Sequence, residues 1–267
     1  MNTANRDNFI NHLATAYDTA ATSWFLGASV VYQRLADEVV ALVPSTTDGP
    51  VLDLCAGTGA ASTALRRHCG PVVAVDLSPG MLAVRRHLRP PAVVADALVM
   101  PFCAGTFGLV VSTCGLNHAP DPVAFLTEVA RVTRPGGTIL ASTFAGGWSH
   151  HGKAAVDDAL RPFGFRPPAW HERFKNEIEP ATADPSSLIA LSTQVGLTQS
   201  SVTRMDVAVD LSIEEVVAWR FSMASHAAFV IGLSSHDHQL ATIAATKAVR
   251  QCWEPVVIPL LVLSAAL

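Results

Sequence analysis

Three aspartates occupy positions from which a parallel sheet presents side chains to a ligand. Asp53, Asp76 and Asp96 lie at or near the ends of three successive short apolar runs. The carboxyl ends of parallel strands meet at one edge of a sheet, so these side chains should face a common cleft. Any one of them alone fits a helix cap or a turn about equally well. Three in succession predict a cleft with an acidic wall.

Each carboxylate suggests a different contact with a ligand. A buried Asp53 repels a pyrophosphate but suits a cationic ligand that bears an ammonium and a sulfonium group. Asp76 closes its run, where a carboxylate can accept hydrogen bonds from both ribose hydroxyls, and this role fits NAD equally well. Asp96 is placed to accept a hydrogen bond from an exocyclic adenine amine. The residues predicted to flank the adenine ring are Leu77, Ala97 and Met100.

A glycine turn follows the first of these runs. The segment Val51–Cys55 leads directly into Ala56-Gly57-Thr58-Gly59 and then into a helical pattern. Glycine lets the backbone approach a ligand closely, and the start of a helix offers free N–H groups. By itself such a turn is weak evidence, because nucleotide, dinucleotide and other adenosine sites share it. The three carboxylates are what make it specific.

The elements that must position these residues alternate along the first half of the chain. The chain begins with a helical segment over Asn2–Val43, which a break at Pro44–Pro50 ends. Short apolar runs then alternate with helical patterns, and this alternation is typical of a parallel sheet with helices on both faces. Arg134–Gly137 is predicted to separate the last helix from its strand, because proline cannot continue a helix and glycine permits the reversal. The predicted strands are Val51–Cys55, Val72–Asp76, Ala92–Ala95, Leu109–Thr113 and Thr138–Phe144, and the helices lie near Ala60–His68, after Pro79 and near Pro122–Thr133.

The second half of the chain is less regular. The segment 145–185 is rich in Gly, Pro, His and aromatic residues, and it is predicted to be an insertion over the sheet, as is 211–253. The aromatic residues of both insertions could form an apolar pocket, although most of them could equally well pack the insertions onto the sheet. The further predicted elements are helices over Pro185–Val195, Ser212–Val230 and Asp237–Trp253, and strands over Thr198–Val209 and Val256–Leu267.

Composition excludes several classes of protein. Half of the 267 residues are hydrophobic, 15% are charged and the net charge is −4, which favours an ordered globular protein and gives no electrostatic case for binding nucleic acid. The first residues lack the basic start and apolar run of a secretory signal, and the most apolar stretch is too short to span a membrane, so the sequence predicts a cytoplasmic location. Five cysteines without a C-x-x-C pair predict free thiols and no zinc site.

These motifs resemble the class I S-adenosylmethionine-dependent methyltransferases, in particular the small-molecule branch similar to ubiquinone and menaquinone methyltransferases. The resemblance covers roughly residues 50–140. Two positions depart from the usual pattern: Cys55 replaces the first glycine of the turn, and Gly108 replaces an aspartate. The matching residues are Asp53-x-Cys55-x-Gly57-x-Gly59, Asp76, Asp96-Ala97 and the segment Phe107–Asp121.

The resemblance implies S-adenosyl-L-methionine as the cofactor and assigns contacts to it. Asp53 would lie near its methionyl end, Asp76 would hold the ribose and Asp96 would meet the adenine. Tyr17 resembles an aromatic residue that closes over the cofactor, although a core or surface tyrosine is about as consistent with the sequence. The complete set of predicted cofactor-binding residues is Tyr17, Asp53, Ala56, Gly57, Gly59, Asp76, Leu77, Met81, Asp96, Ala97, Thr113 and Cys114.

Methyl transfer from a sulfonium is an in-line displacement, so the protein must mainly align the nucleophile and exclude water. His118 follows the fourth predicted strand at the ligand-binding edge, and His226 lies in the second insertion; both are predicted as candidate bases. A structural role is the alternative for each. Adjacent Asp157 and Asp158 would face different ways on a helix, so no metal site is predicted.

The sequence therefore predicts a single domain over 1–267 with an α/β, Rossmann-like, doubly wound and mostly parallel seven-stranded sheet and helical lid insertions. Residues 1–43 would form an N-terminal helical cap, 50–144 the cofactor-binding core, and 145–185 and 211–253 the lids. The predicted activity is methylation of O, N or C in a small, partly apolar metabolite, in the manner of secondary metabolism. A homodimer is left open, and no nucleic acid or membrane partner is expected.

Two rival functions remain at this point. One is a protein that keeps the cofactor fold but binds a ligand or catalyses a reaction without methyl transfer, because fold does not fix function. The other is a NAD-dependent oxidoreductase, which would require a third glycine where Ser62 stands and no buried Asp53.

Overall fold

The computed structural model describes residues 3–45 and 47–267. Within that part of the chain, seven strands form one sheet. Their bounds are β1 Val51–Leu54, β2 Val72–Asp76, β3 Ala92–Val94, β4 Phe107–Ser112, β5 Thr133–Phe144, β6 Thr198–Val209 and β7 Val256–Ala266.

The order of strands across the sheet is β3-β2-β1-β4-β5-β7-β6. The first five strands in this order are parallel to their neighbours, whereas β7 lies antiparallel to both β5 and β6. The prediction of a mostly parallel, doubly wound sheet is confirmed. The order reverses direction between β1 and β4, which is where sheets of this kind bind ligands.

Burial explains why the central strands are continuous apolar runs. Every residue of β1 and β4 is buried, since helices cover both faces of a parallel sheet. Asp53 is the one carboxylate among these ten residues, and its side chain is 1% exposed. A charge held at that depth is costly unless a ligand or a partner compensates for it.

Helices cover both faces and close the ends of the sheet. Five lie before or between the parallel strands, and the rest belong mainly to the two insertions, together with short 3-10 and π turns such as Leu116–His118 and Phe174–Ile178. Their bounds are α1 Thr3–Leu26, α2 Ser29–Val40, α3 Ala60–His68, α4 Pro79–Ala83, α5 Pro122–Val132, α6 His151–Leu160, α7 Ala169–Arg173, α8 Pro185–Gln194, α9 Ile213–Ser222, α10 Ala224–Gly232 and α11 Ser235–Gln251.

Three predicted boundaries were wrong. The first helical segment is two helices, because the chain passes Gly27 against α9, where a Cβ would lie 2.5 Å from the carbonyl oxygen of Ala218. The predicted helix 212–230 is interrupted at Met223, whose backbone is extended. Arg134–Gly137 does not separate an element from the next but lies inside β5, where the register shifts and Gly136 takes a positive φ. Asn2 lies outside the described residues.

None of the described helices combines the length and the apolar character that crossing a bilayer requires. Within residues 3–45 and 47–267, no three His, Cys, Asp or Glu side chains are grouped as metal ligands would be. All five cysteines are free thiols.

Candidate functional site

The turn after β1 is built on left-handed backbone. Gly57 and Gly59 have φ values of 52° and 96°, conformations that favour glycine. The open side of Gly57 has no atom within 4 Å of where a Cβ would lie, so its backbone is free to meet a ligand. Gly59 precedes the first residue of α3 and lies against Arg89 rather than lining the cleft.

Asp53 projects into the cleft from the buried end of β1. Its carboxylate accepts a hydrogen bond from the Ser62 hydroxyl. Burial raises the pKa of Asp53 to about 6, although the Ser62 hydrogen bond and the positive charge of Arg89 oppose that change. A carboxylate with so little compensation stabilises a cation bound next to it.

Asp76 organises the second part of the cleft. Its two oxygens accept hydrogen bonds from the backbone N–H of Gly57 at 2.7 Å and of Ser78 at 2.9 Å. Burial raises its pKa, and those two hydrogen bonds act in the opposite direction. The carboxylate thus joins the glycine turn to the start of α4 and still lines the cavity, where its remaining lone pairs can meet hydroxyl groups.

A smaller cavity adjoins this one along the ends of β2 and β3. It is lined by Asp76, Leu77, Asp96 and Ala97, as predicted for an adenine site. Asp96 accepts a hydrogen bond from the backbone N–H of Leu98 at 2.9 Å. Met100 does not flank this cavity: it is buried, and its N–H donates to Glu128 at 2.6 Å.

The residue that replaces the usual first glycine is matched by a glycine opposite it. Cys55 has a φ of 59°, and a Cβ on Gly115 would lie 2.6 Å from the Cβ of Cys55 and 2.8 Å from its sulfur. The wall at the end of β4 is fixed by Cys114, whose N–H donates to the Ser142 hydroxyl at 2.9 Å. The Cys55 side chain therefore fits beside the cleft because Gly115 leaves room for it.

Helix α1 closes the cleft from above. Tyr17 faces the cavity, and the next residue, Asp18, fastens the helix to α4. Its carboxylate accepts hydrogen bonds from the Ser78 hydroxyl and, at 2.7 Å, from the N–H of Gly80. Contact is so close that a Cβ on Gly80 would lie 2.9 Å from a carboxylate oxygen of Asp18 and 3.2 Å from its Cα.

Gly80→Ala is expected to weaken cofactor binding about tenfold, because the new methyl group displaces α1 and with it Tyr17. Gly232→Ala is the matched control, since nothing lies within 4 Å of a Cβ there. Calorimetric titration with S-adenosylhomocysteine measures the effect. Equal affinity in Gly80→Ala and wild type would show that α1 does not shape the cleft.

His118 lies at the boundary between this cleft and a second, larger cavity, and it lines both. Its Nε2 is 2.8 Å from the Tyr17 hydroxyl oxygen, and its ring stacks on Phe174 with centroids 4.6 Å apart. Burial lowers the pKa of His118 to about 4 and raises that of Tyr17 far above its usual value. Both groups are neutral near pH 7, so the phenol donates to Nε2.

The second cavity has a volume of about 500 Å³ and lies under the two helical insertions. Strands contribute Phe144 and Ile258 to its wall, and helix α2 contributes Tyr32, which also lines the first cleft. The volume falls within the range of small-molecule sites. Its aromatic lining from the insertions consists of Trp148, Trp170, Phe174 and Trp219.

His226 does not line either cavity. It is 1% exposed, and its ring nitrogens meet Ser225 and Asp157, both at 2.9 Å. Asp157 also accepts two hydrogen bonds of 2.6 Å from Arg220. Burial tends to raise the pKa of Asp157, but these partners hold it well below its usual value. His226 therefore supports the Asp157–Arg220 pair.

The structure brings together ten of the predicted residues around the main cleft and places four elsewhere. Asp96 and Ala97 line the adjoining cavity, whereas Gly59 and His226 line none. Sequence reasoning missed Tyr32, Arg89 and Asp18, which reach the site from elements outside the recognised motifs. The ten residues around the main cleft are Tyr17, Asp53, Ala56, Gly57, Asp76, Leu77, Met81, Thr113, Cys114 and His118.

The sheet order, with ligand-facing residues at the point where it reverses, defines a Rossmann-like fold. Residues 52–141 match the family model described as a methyltransferase domain. The matched region starts inside β1 and ends inside β5, so it contains the glycine turn and all three aspartates. The resemblance inferred from the motifs is confirmed.

Among curated proteins, the chain is 37% identical over 129 residues to demethylmenaquinone methyltransferase of Corynebacterium efficiens, covering 48% of this chain and 55% of that protein. The chain spans about half the length of the curated relatives it matches.

Solved structures share the fold. A chain of the complex between the Haloferax volcanii Trm112 methyltransferase activator and a methyltransferase superimposes with a TM-score of 0.58 at 20% identity, covering 94% of this chain and 96% of that one. Phosphoethanolamine N-methyltransferase 2 of Haemonchus contortus, in complex with S-adenosyl-L-methionine, gives 0.53 at 18% identity over 85% of this chain and 50% of that one.

Proposed function

We propose that this protein is an S-adenosylmethionine-dependent methyltransferase that methylates a small, partly apolar metabolite. The observation that carries the proposal is the junction of two cavities: an acidic cleft at the ends of β1 and β2 opens next to a 500 Å³ aromatic chamber, and Tyr17, Tyr32 and His118 line both. A methyl donor and an acceptor need such adjacency. The demethylmenaquinone methyltransferases among the relatives, whose name indicates a small apolar acceptor, support it.

The residues present fit the cofactor. S-adenosylmethionine supplies an electrophilic methyl group on a positively charged sulfur. Asp53 offers an undercompensated carboxylate to that charge, and Asp76 offers oxygens to ribose hydroxyls. The same buried Asp53 disfavours NAD, because it would face a pyrophosphate at the glycine turn.

The chain's own task is to align the acceptor, keep water out and move a proton where the acceptor carries one. Helix α1 and the insertions cover the junction. We propose that an acceptor hydroxyl passes its proton to the Tyr17 oxygen while the Tyr17 proton passes to Nε2 of His118. The neutral imidazole at that position is able to receive it. In this proposal His226 positions Arg220 and takes no part in proton transfer.

The test is incubation with S-adenosylmethionine and a panel of quinols, phenols and amines. Formation of S-adenosylhomocysteine only when an acceptor is present supports methyl transfer. Tight binding of the cofactor with no turnover on any acceptor would support the rival in which the fold binds a ligand without methylating. The chain as a single cytoplasmic domain, with 1–43 as a cap and 145–185 and 211–253 as lids, remains a prediction.

His118→Phe is expected to lower kcat for a hydroxyl acceptor by about 10²-fold, because the ring still stacks on Phe174 but can no longer take a proton. Cofactor affinity should stay within about twofold. Steady-state kinetics measure the effect. The control is His12→Phe, which replaces an exposed histidine of α1. An unchanged kcat in His118→Phe would remove this residue from the mechanism.

A further inference from the structure

One lysine in the large cavity has no anionic partner. Lys153 of α6 lies with its ammonium nitrogen 4.5 Å from the ring centroid of Trp148 and 5.3 Å from that of Trp219. Among residues 3–45 and 47–267, no carboxylate oxygen lies within 4 Å of that nitrogen. The ammonium group is held by aromatic faces alone, and these stabilise a cation less than an ion pair does.

The other charged groups around the cavity compensate one another. Lys175 pairs with Glu179, and Arg220 forms its bidentate pair with Asp157. The neighbouring His118 and His171 are neutral, because burial lowers their pKa values to about 4 and about 3. One positive charge therefore remains uncompensated in the cavity, and it belongs to Lys153.

Two further side chains that line the same cavity have buried polar groups without a hydrogen-bond partner. The indole N–H of Trp219, on one of the two rings that hold Lys153, is buried without an acceptor. Both polar atoms of the Asn117 amide are also buried without a partner, and this side chain is 1% exposed. Buried polar groups are normally satisfied, so unpaired ones that line a cavity indicate the shape of a polar ligand.

We propose that Lys153 and the Trp219 indole N–H bind an ionised oxygen of the methyl acceptor, so that the substrate class is a flat aromatic molecule bearing an acidic oxygen. The inference rests on the proposed function, since it names the occupant of the acceptor cavity. The indole rings of Trp148 and Trp219 supply the apolar surface on which an aromatic body packs. Asn117 supplies a donor and an acceptor to a second polar group.

The environment of Lys153 agrees with this assignment. Burial lowers the pKa of Lys153 to about 7, the charges of Arg220 and Lys175 act in the same direction, and those of Asp157 and Glu179 act against it. An anion that enters the cavity stabilises the charged form of Lys153, which burial disfavours. Binding of an acid should therefore be accompanied by full protonation of the lysine.

The test compares 2-naphthoate with 2-naphthamide, which has nearly the same shape but no charge, by calorimetric titration at pH 6.5. We expect the wild-type protein to bind the acid at least tenfold more tightly than the amide. Lys153→Met, which keeps the aliphatic stem between the indole rings, should abolish that preference, and Lys153→Arg should restore most of it. Trp219→Phe should reduce it about threefold, since the ring remains and the N–H is lost.

Lys247→Met is the matched control, because it removes the same charge from an exposed position on α11, and it should keep the wild-type preference. Equal binding of acid and amide by the wild type, no binding of 2-naphthoate at millimolar concentration, or a preserved preference in Lys153→Met would each overturn the proposal. Titration with S-adenosylhomocysteine separates the two hypotheses. A wild-type protein that binds the cofactor but shows no preference for the acid contradicts the acceptor class alone, whereas a wild-type protein that does not bind the cofactor contradicts the proposed function.

Discussion

Asp53→Asn is expected to raise the stability of the ligand-free protein and to weaken its binding of S-adenosylmethionine by about 10- to 100-fold. The pKa of Asp53 is raised from 3.8 to about 6, so the fold disfavours the ionised form that prevails at pH 7. Asparagine keeps the hydrogen bond from Ser62 but carries no charge. On the scale of that change in pKa, the free energy of unfolding should rise by about 3 kcal/mol.

The same carboxylate gives the wild-type protein a pH dependence. The folded-state pKa is raised, so Asp53 takes up a proton as pH falls through about 6, and cofactor affinity should fall with it. The free energy of unfolding of the ligand-free protein should instead rise as pH falls from about 6 to 3.8, because the folded state binds this proton more tightly than the unfolded state does. Chemical denaturation and calorimetry at pH 5 and 8 measure both quantities.

Asp158→Asn is the control for charge, since Asp158 is exposed on α6. It should change neither cofactor affinity nor its pH dependence. An Asp53→Asn protein that binds the cofactor as tightly as wild type would disprove the electrostatic role assigned to this carboxylate.

Gly108→Asp, which introduces the residue that the related pattern usually has, is expected to cost at least about 3 kcal/mol of unfolding free energy. Gly108 lies in β4 directly against the segment before β1: a Cβ there would be 1.7 Å from the carbonyl oxygen of Asp48. The Gly108 N–H also donates to the Pro50 oxygen at 2.9 Å. Backbone atoms on both sides cannot yield as a flexible side chain would.

The measurement is urea denaturation of Gly108→Ala, Gly108→Asp and the unobstructed control Gly232→Ala. The alanine variant isolates the cost of the Cβ from that of the charge. Stability of both Gly108 variants within 0.5 kcal/mol of wild type would mean that the segment around Asp48 moves aside at little cost.

The parallel half of the sheet was predictable because local patterns determine it. The bounds of β2 and α3 agree with the sequence prediction, since each is a short apolar or amphipathic segment between turn residues. The positions of Asp53 and Asp76 followed from the same patterns, because strand ends converge at one edge whatever covers the sheet.

The large cavity under the insertions was not predictable in the same way. Lys153, Asn117 and Trp219 come from segments far apart in sequence, and only the packing of the insertions brings them to one cavity. The sequence predicts His226 as a candidate base from its residue type and its place in the second insertion. In the fold its ring meets Asp157, which lies 69 positions away in sequence. The break at Gly27 likewise depends on a contact with α9 that no local pattern records.

The position of β7 between β5 and β6 has a consequence for the order of assembly. Both helical insertions are enclosed between β5 and β7, so pairing Phe144 with Leu260 closes a loop of more than a hundred residues. Closing such a loop costs conformational entropy and is therefore slow. Within residues 3–45 and 47–267, β6 is hydrogen-bonded to β7 alone. We therefore expect the parallel core to form early in refolding, and the chamber lined by Phe144 and Ile258 to take shape later.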